Sequence, residues 1–312
     1  MRIRGGYTIG YDTFGPTPIV YQLNVHPSRA HDLLSPDTMR ADPPVPMGPY
    51  TDDFGNTCVR LVSPGGRMTV SADLLIADSG EPDPYVPDAR QIQVPDLPDE
   101  VLVYLLGSRY CDTDKLAGIA WSLFGNAPEG WSRVQAIVSW VHRHIRFDYQ
   151  LADATRSAFD GYTQRVGVCR DFAHLAVTLC RCMNIPARYS TGYLGDIGVP
   201  VDPYPMDFSA WFEVYLAGPE GPRWYTFDAR HDARRIGRVV IARGRDATDV
   251  AISTSFGTAL LAQFDVVTAA LPDDATPQPH SRDRSKASSD TLNVGDVAGT
   301  SVGDAVSRAT RW

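Results

Sequence analysis

The sequence predicts an α+β fold: an all-β amino-terminal domain followed by a core in which helices pack on an antiparallel sheet. Three observations carry that prediction. Short runs of alternating apolar residues fill the stretch 7–78, two stretches of helical periodicity follow, and three further strand-like runs come after them. Helices first and antiparallel strands afterwards is the order of an α+β chain, not of βαβ repeats.

The β-like runs 17–25, 58–63 and 68–76 are separated by Pro, Gly, Asn and Asp, which punctuate strands. Residues 78–98 are rich in Pro and Asp and have no period, so they read as an ordered but irregular connector. The first domain is therefore expected over 1–88. Helical periodicity begins near Glu100. In 131–145, Val134, Ile137, Val138, Val141 and Ile145 recur at helical intervals while Arg133, Gln135, His142 and Arg143 face elsewhere. A second helix is expected over 169–183, with Phe172, Ala176, Leu179 and Met183 as its stripe and Pro186 beyond its end. Strands over 187–194, 208–216 and 223–228 follow, the last two forming a hairpin at the Gly and Pro of 218–222. The core domain is expected over 89–265. Residues 266–312, most plainly those past Leu271, are dominated by Ser, Thr, Asp, Gly and Pro, and are expected to form a disordered tail.

A chain of 312 residues is long enough for two cores. Its net charge of -8 opposes phosphate backbones and anionic membrane surfaces, so neither nucleic acid nor a membrane is an expected partner. The start of the chain alternates polar and apolar residues without a signal-type apolar run, and a cytoplasmic location is expected. Five cysteines, an odd number, fit reduced thiols better than a disulfide framework. With no Cys-x-x-Cys and no paired His spacing, no metal and no cofactor is expected.

Cys169 falls at the first turn of the second helix, where free backbone N–H groups and the helix dipole favour a thiolate. It is the candidate nucleophile, against the plainer reading of a small buried hydrophobe. Its neighbourhood is specific. Gly167-Val168-Cys169-Arg170-Asp171-Phe172-Ala173-His174-Leu175, then Asn184-Ile185-Pro186-Ala187-Arg188-Tyr189, Ala210-Trp211-Phe212-Glu213-Val214-Tyr215 and Trp224-Tyr225-Thr226-Phe227-Asp228, strongly resembles the transglutaminase-like superfamily over roughly 102–257. Asn24-Val25-His26-Pro27 and Phe54-Gly55-Asn56 look like the β-rich domain that precedes this papain-type core in many bacterial members.

The resemblance implies a thiol acyl transferase or protease, with Cys169 as nucleophile and Asp228 orienting the histidine that moves the proton. It places that histidine just before Ala210-Trp211, where this chain has Ser209. A serine hydroxyl is no base near neutral pH. If Leu216 pairs with Arg223 across the hairpin, Trp211 lies opposite Asp228 and Ser209 opposite Arg230. His231 is the candidate surrogate base, with a loop histidine as the alternative; strict alternation turns it away from Asp228 unless the strand ends there. His174 reads as structural and Cys180 as core. The basic stretch Arg234, Arg235, Arg238, Arg243 and Arg245 reads as a solvated face offsetting Asp232, Asp246 and Asp249, or as a clamp for a substrate carboxylate.

Two functions stay open, thiol-dependent acyl transfer on peptide or amide substrates, or a catalytically inactive fold that binds peptides or proteins in the same cleft; behind them stands a purely structural module in which Cys169 is buried and inert. The expected partner in either case is a peptide or protein. The resemblance adds proteins of a peptide-ligating system as further expected partners.

Overall fold

The computed structural model describes residues 1–202 and 204–272. The amino-terminal part consists of β1 (Arg2–Thr13), β2 (Thr17–Tyr21), β3 (Arg40–Asp42), β4 (Gly48–Thr51), β5 (Thr57–Ser63) and β6 (Gly66–Ala77). In β6, Met68, Val70, Ala72, Leu74 and Ile76 are buried in alternation, the period-2 pattern of a half-buried strand. Helices α1 (Asp99–Leu102), α2 (Thr113–Phe124) and α3 (Trp131–His144) follow, then β7 (Arg146–Phe147), α4 (Ala158–Gln164), β8 (Val166–Gly167) and α5 (Cys169–Cys182). The chain ends its described part with β9 (Ala187–Leu194), β10 (Ser209–Gly218), β11 (Gly221–Phe227), β12 (Arg238–Gly244), β13 (Ser253–Ser255) and β14 (Ala259–Leu271).

Helix α5 is the axis of the core. All fourteen of its residues are buried, and it lies across the antiparallel sheet ordered β11-β10-β9-β12. One side of that layer is an apolar cluster from α2, α3, α5, β10 and β11, including Leu116, Val134, Leu175 and Phe212. Cys169, Ala173, Tyr189 and Tyr193 belong instead to the cluster that fills the amino-terminal sheets. The thiol thus sits where the two cores meet.

The expected division into 1–88, 89–265 and 266–312 is corrected by the pairing of the last strands. Strand β14 pairs with β1 over its whole length, Leu271 opposite Arg2 and Ala259 opposite Thr13, and β13 pairs with β2. The two amino-terminal sheets, ordered β14-β1-β6-β3 and β13-β2-β5-β4, are therefore each completed by carboxy-terminal chain. A boundary at 265 cuts β14 in half, because Val266 and Thr268 point into the same core as Ile3 and Tyr7. Of the expected tail, residues 273–312 lie outside the described residues. The connector 78–98 is irregular, as expected, and is tied down by exchange of hydrogen bonds between Arg90 and Ala217 and by the Trp131 N–H donating to the Ala89 carbonyl.

Two glycines should respond oppositely to alanine. A Cβ on Gly192, at the bulge between β9 and β12, meets the Val239 carbonyl oxygen at 2.1 Å, whereas one on Gly118 in α2 meets nothing within 4 Å. In urea titrations Gly192→Ala is expected to cost about 3 kcal/mol, and Gly118→Ala to gain about 0.5–1 kcal/mol through helix propensity.

Candidate active site

The first turn of α5 is held by a buried carboxylate. Asp171 Oδ2 accepts from the Val168 N–H at 2.8 Å and from Arg156 at 3.2 Å, while Arg170 approaches Oδ1 at 3.4 Å. Gly167 is required beside it, since a Cβ there meets the Asp171 side chain at 2.5 Å. This fixes where Cys169 begins the helix. Its side chain points into a cavity of about 60 Å³ lined also by Tyr149, Asp207, Ser209, Arg230 and His231.

The helix start does not win the electrostatics. Cys169 is 9% exposed, and burial pushes its thiol up to about 11, with Asp207 adding to the rise. Arg230 and a backbone hydrogen bond with Ala210 oppose this without reversing it. The expectation of a lowered thiol pKa is corrected: desolvation outweighs the dipole here.

The hairpin register agrees with the sequence up to its end. Leu216 pairs with Arg223, and the ladder runs to Phe212 opposite Phe227. Strand β11 then stops, so the expected pairing of Ser209 with Arg230 does not form, and Ser209 faces Gly192 of β9. Residues 228–232 close a turn in which the Asp232 N–H donates to the Asp228 carbonyl at 2.9 Å. That turn swings His231 back: its N–H donates to Asp228 Oδ1 at 3.0 Å and its Nδ1 lies 2.8 Å from Asp228 Oδ2. With Nδ1 spent on Asp228, Nε2 is the nitrogen left to act on the cavity. Ser209 Oγ lines the same cavity, buried and without a hydrogen-bond partner among the described residues.

For several residues of this arrangement the sequence gives no sign of the part they play here. Arg238 reaches Asp228 Oδ2 at 2.8 Å and Asp83, in the irregular connector, at 2.9 Å, with its guanidinium over the Trp211 ring. Burial alone would raise the Asp228 pKa, but Arg238 and His231 hold it well below the usual carboxylate range. Helix α3 clamps the turn from outside. His142 Nδ1 lies 2.8 Å from the Arg230 carbonyl, and Gln135 and Ser139 donate to Asp232 Oδ1 at 2.8 and 3.1 Å.

The basic stretch is a solvated face only in part, at the exposed Arg234 and at Arg245 with the expected Asp249. Arg235 and Arg238 are buried; Arg243 pairs with Glu213, and Arg245 with Asp249. His174 is structural: it is buried, stacked on Tyr110 at 5.0 Å, and its Nε2 accepts from the Ala247 N–H at 3.1 Å. Burial drives its pKa down, which keeps the ring neutral. All five cysteines are free and buried, Cys180 among them in the core. Among the described residues, no group of three or more His, Cys, Asp and Glu is placed to hold a metal, and no helix is long and apolar enough to cross a membrane.

With the geometry in place, comparison with known proteins decides the family. The core of the transglutaminase-like superfamily matches residues 119–229. A solved structure, that of a proposed cysteine protease from Cytophaga hutchinsonii, is 31% identical and superposes with a TM-score of 0.75, covering 91% of this chain and 95% of its own. The chain belongs to the transglutaminase-like superfamily. A further relative, an uncharacterized protein of Mycobacterium leprae, is 26% identical over 211 residues, which are 65% of this chain and 73% of that protein. The superfamily match includes Cys169, Ser209 and Asp228 and stops two residues short of His231.

Removing Arg238 is the direct test of how Asp228 is held. Arg238→Met leaves Asp83 and Asp228 without their shared cation, and is expected to destabilise by about 3–5 kcal/mol. In a thermal melt that is a Tm lowered by roughly 10 °C.

Proposed function

We propose that the protein is a thiol-dependent acyl-transfer enzyme acting on peptide or amide substrates, with Cys169 as nucleophile and His231, oriented by Asp228, as the base. One observation carries this reading: the His231 ring is fixed on Asp228 at 2.8 Å and lines the same cavity as the Cys169 thiol. A nucleophile, a base and an orienting acid are then gathered at one place. By the resemblance to the superfamily, Ser209 stands at the position of the usual histidine. His231, on the turn after β11, supplies the imidazole instead.

A thiol held near 11 is neutral at pH 7. It does not rest as a thiolate and imidazolium pair. As Cys169 Sγ attacks the amide carbonyl, its proton passes to His231 Nε2. The carbon–sulfur bond forms, the carbon–nitrogen bond breaks, and the leaving amine takes the proton from His231. Water then resolves the thioester to an acid, or a second amine resolves it to a new amide, with His231 again accepting the proton. Asp228 stays ionised and stabilises the imidazolium formed on the way.

The alternative, a binding module without catalysis, is favoured by the depth of the thiol and the small size of its cavity. Alkylation of Cys169 by iodoacetamide, followed by intact mass between pH 6 and 10, separates the two. With His231 as base, wild type is expected to react about tenfold or more faster than His231→Gln at pH 7. The difference should narrow towards pH 10, as the thiol begins to ionise unaided. Superimposable profiles would leave His231 without a role and turn the reading to the binding module.

A further inference from the structure

The thiol cavity shares a wall with a second space. Tyr149 and residues 204–207 line the cavity and also line a groove of about 420 Å³, whose far wall is β14 at residues 261–264. That volume is within the range of ligand-binding clefts.

Strand β14 is the outer strand of its sheet, paired with β1 along one edge and with no strand along the other among the described residues. An outer antiparallel strand presents the N–H and C=O of every second residue away from its neighbour. At the groove the ladder is also interrupted. Gly10 faces Gln263 and Tyr11 faces Leu261, so Ala262 has no residue opposite it. A bulge of this kind bends the strand and leaves main chain without its ladder partner. The floor beside it is fixed, because Leu261 and Phe264 pack on the buried core and the Phe264 ring meets Phe208 edge to face at 6.2 Å. Phe208 directly precedes Ser209 of the thiol cavity.

We propose that this groove is the subsite for an extended peptide acyl donor, which adds as a further strand along the outer edge of β14 at Ala262 and passes its reactive carbonyl between Tyr149 and Tyr204 to Cys169. The inference rests on the acyl-transfer reading above. It names the substrate as extended polypeptide because a row of main-chain donors and acceptors is matched by another main chain and not by a compact metabolite. Charge points the same way. Among the described residues the groove is lined by no Lys or Arg and by one charged residue, Asp207, so they offer no counter-charge to an anionic ligand such as a phosphate.

The test uses acetyl-capped oligoalanine chloromethyl ketones of one to four residues, with Cys169 alkylation followed by intact mass. The rate constant is expected to rise about tenfold or more from one residue to four. Methylating the peptide nitrogens of the longest probe should return it to the single-residue value. Ala262→Pro removes a main-chain donor at a bulge, where proline is tolerated, and should lose the gain with length. A flat length series, an unaffected N-methylated probe, or a folded Ala262→Pro protein that keeps the gain overturns the subsite. The same contrast is read without chemistry from binding of the capped tetra-alanine amide, with and without N-methylation, to Cys169→Ala by calorimetry. Selective binding there together with an inert thiol in wild type keeps the subsite and removes the acyl-transfer reading; binding indifferent to N-methylation removes the subsite.

Discussion

Asp228 is a carboxylate with almost no contact with water, and four elements of the protein are arranged around keeping it ionised. Arg238 comes from β12, His231 from the turn after β11, Asp83 from the connector to balance Arg238, and α3 holds the turn through Arg230 and Asp232. An ion in low dielectric is tolerated only when donors replace its lost water. The carboxylate is held below its unfolded pKa, so its contribution to stability is present above the ordinary carboxylate range and is lost as pH falls through the folded value. The same donors set the orientation of His231. Folding energetics and site geometry therefore share one group.

The thiol faces the opposite balance. The free N–H groups of α5 and the Arg230 guanidinium favour charge on sulfur, but a group enclosed by Tyr149, Asp207 and the end of β10 has lost more hydration than they return. A neutral resting thiol is well protected from oxidation, since the thiolate is the reactive form. In the proposed acyl transfer it also makes a base necessary at the moment of attack, the role proposed for His231 on Asp228.

The amino-terminal sheets do not stand apart from the site. Strand β14 returns to the beginning of the chain, pairs with β1, and places Leu261 to Phe264 in the groove that shares Tyr149 and residues 204–207 with the thiol cavity. Cys169 and Tyr193 share an apolar cluster with Ile3 and Tyr7. The cleft is thus an interface between two cores, and its walls come from both.

What the sequence determined by itself was local. The stripe of Val134, Ile137, Val138 and Val141 specifies α3, and the blocks around Cys169 place it at the start of α5, because a 3.6-residue period needs only neighbours in the chain. The short turn fixed Leu216 opposite Arg223 for the same reason. Tertiary structure decided the rest. Whether His231 faces Asp228 depends on where β11 stops, and the turn that follows is held by side chains of α3. Arg238 in β12 and Asp83 in the connector without period are 155 residues apart, and β14 meets β1 across nearly the whole described chain. Burial, which raised the thiol pKa against the pull of its helix, is a property of the assembled layers and leaves no mark in the order of residues.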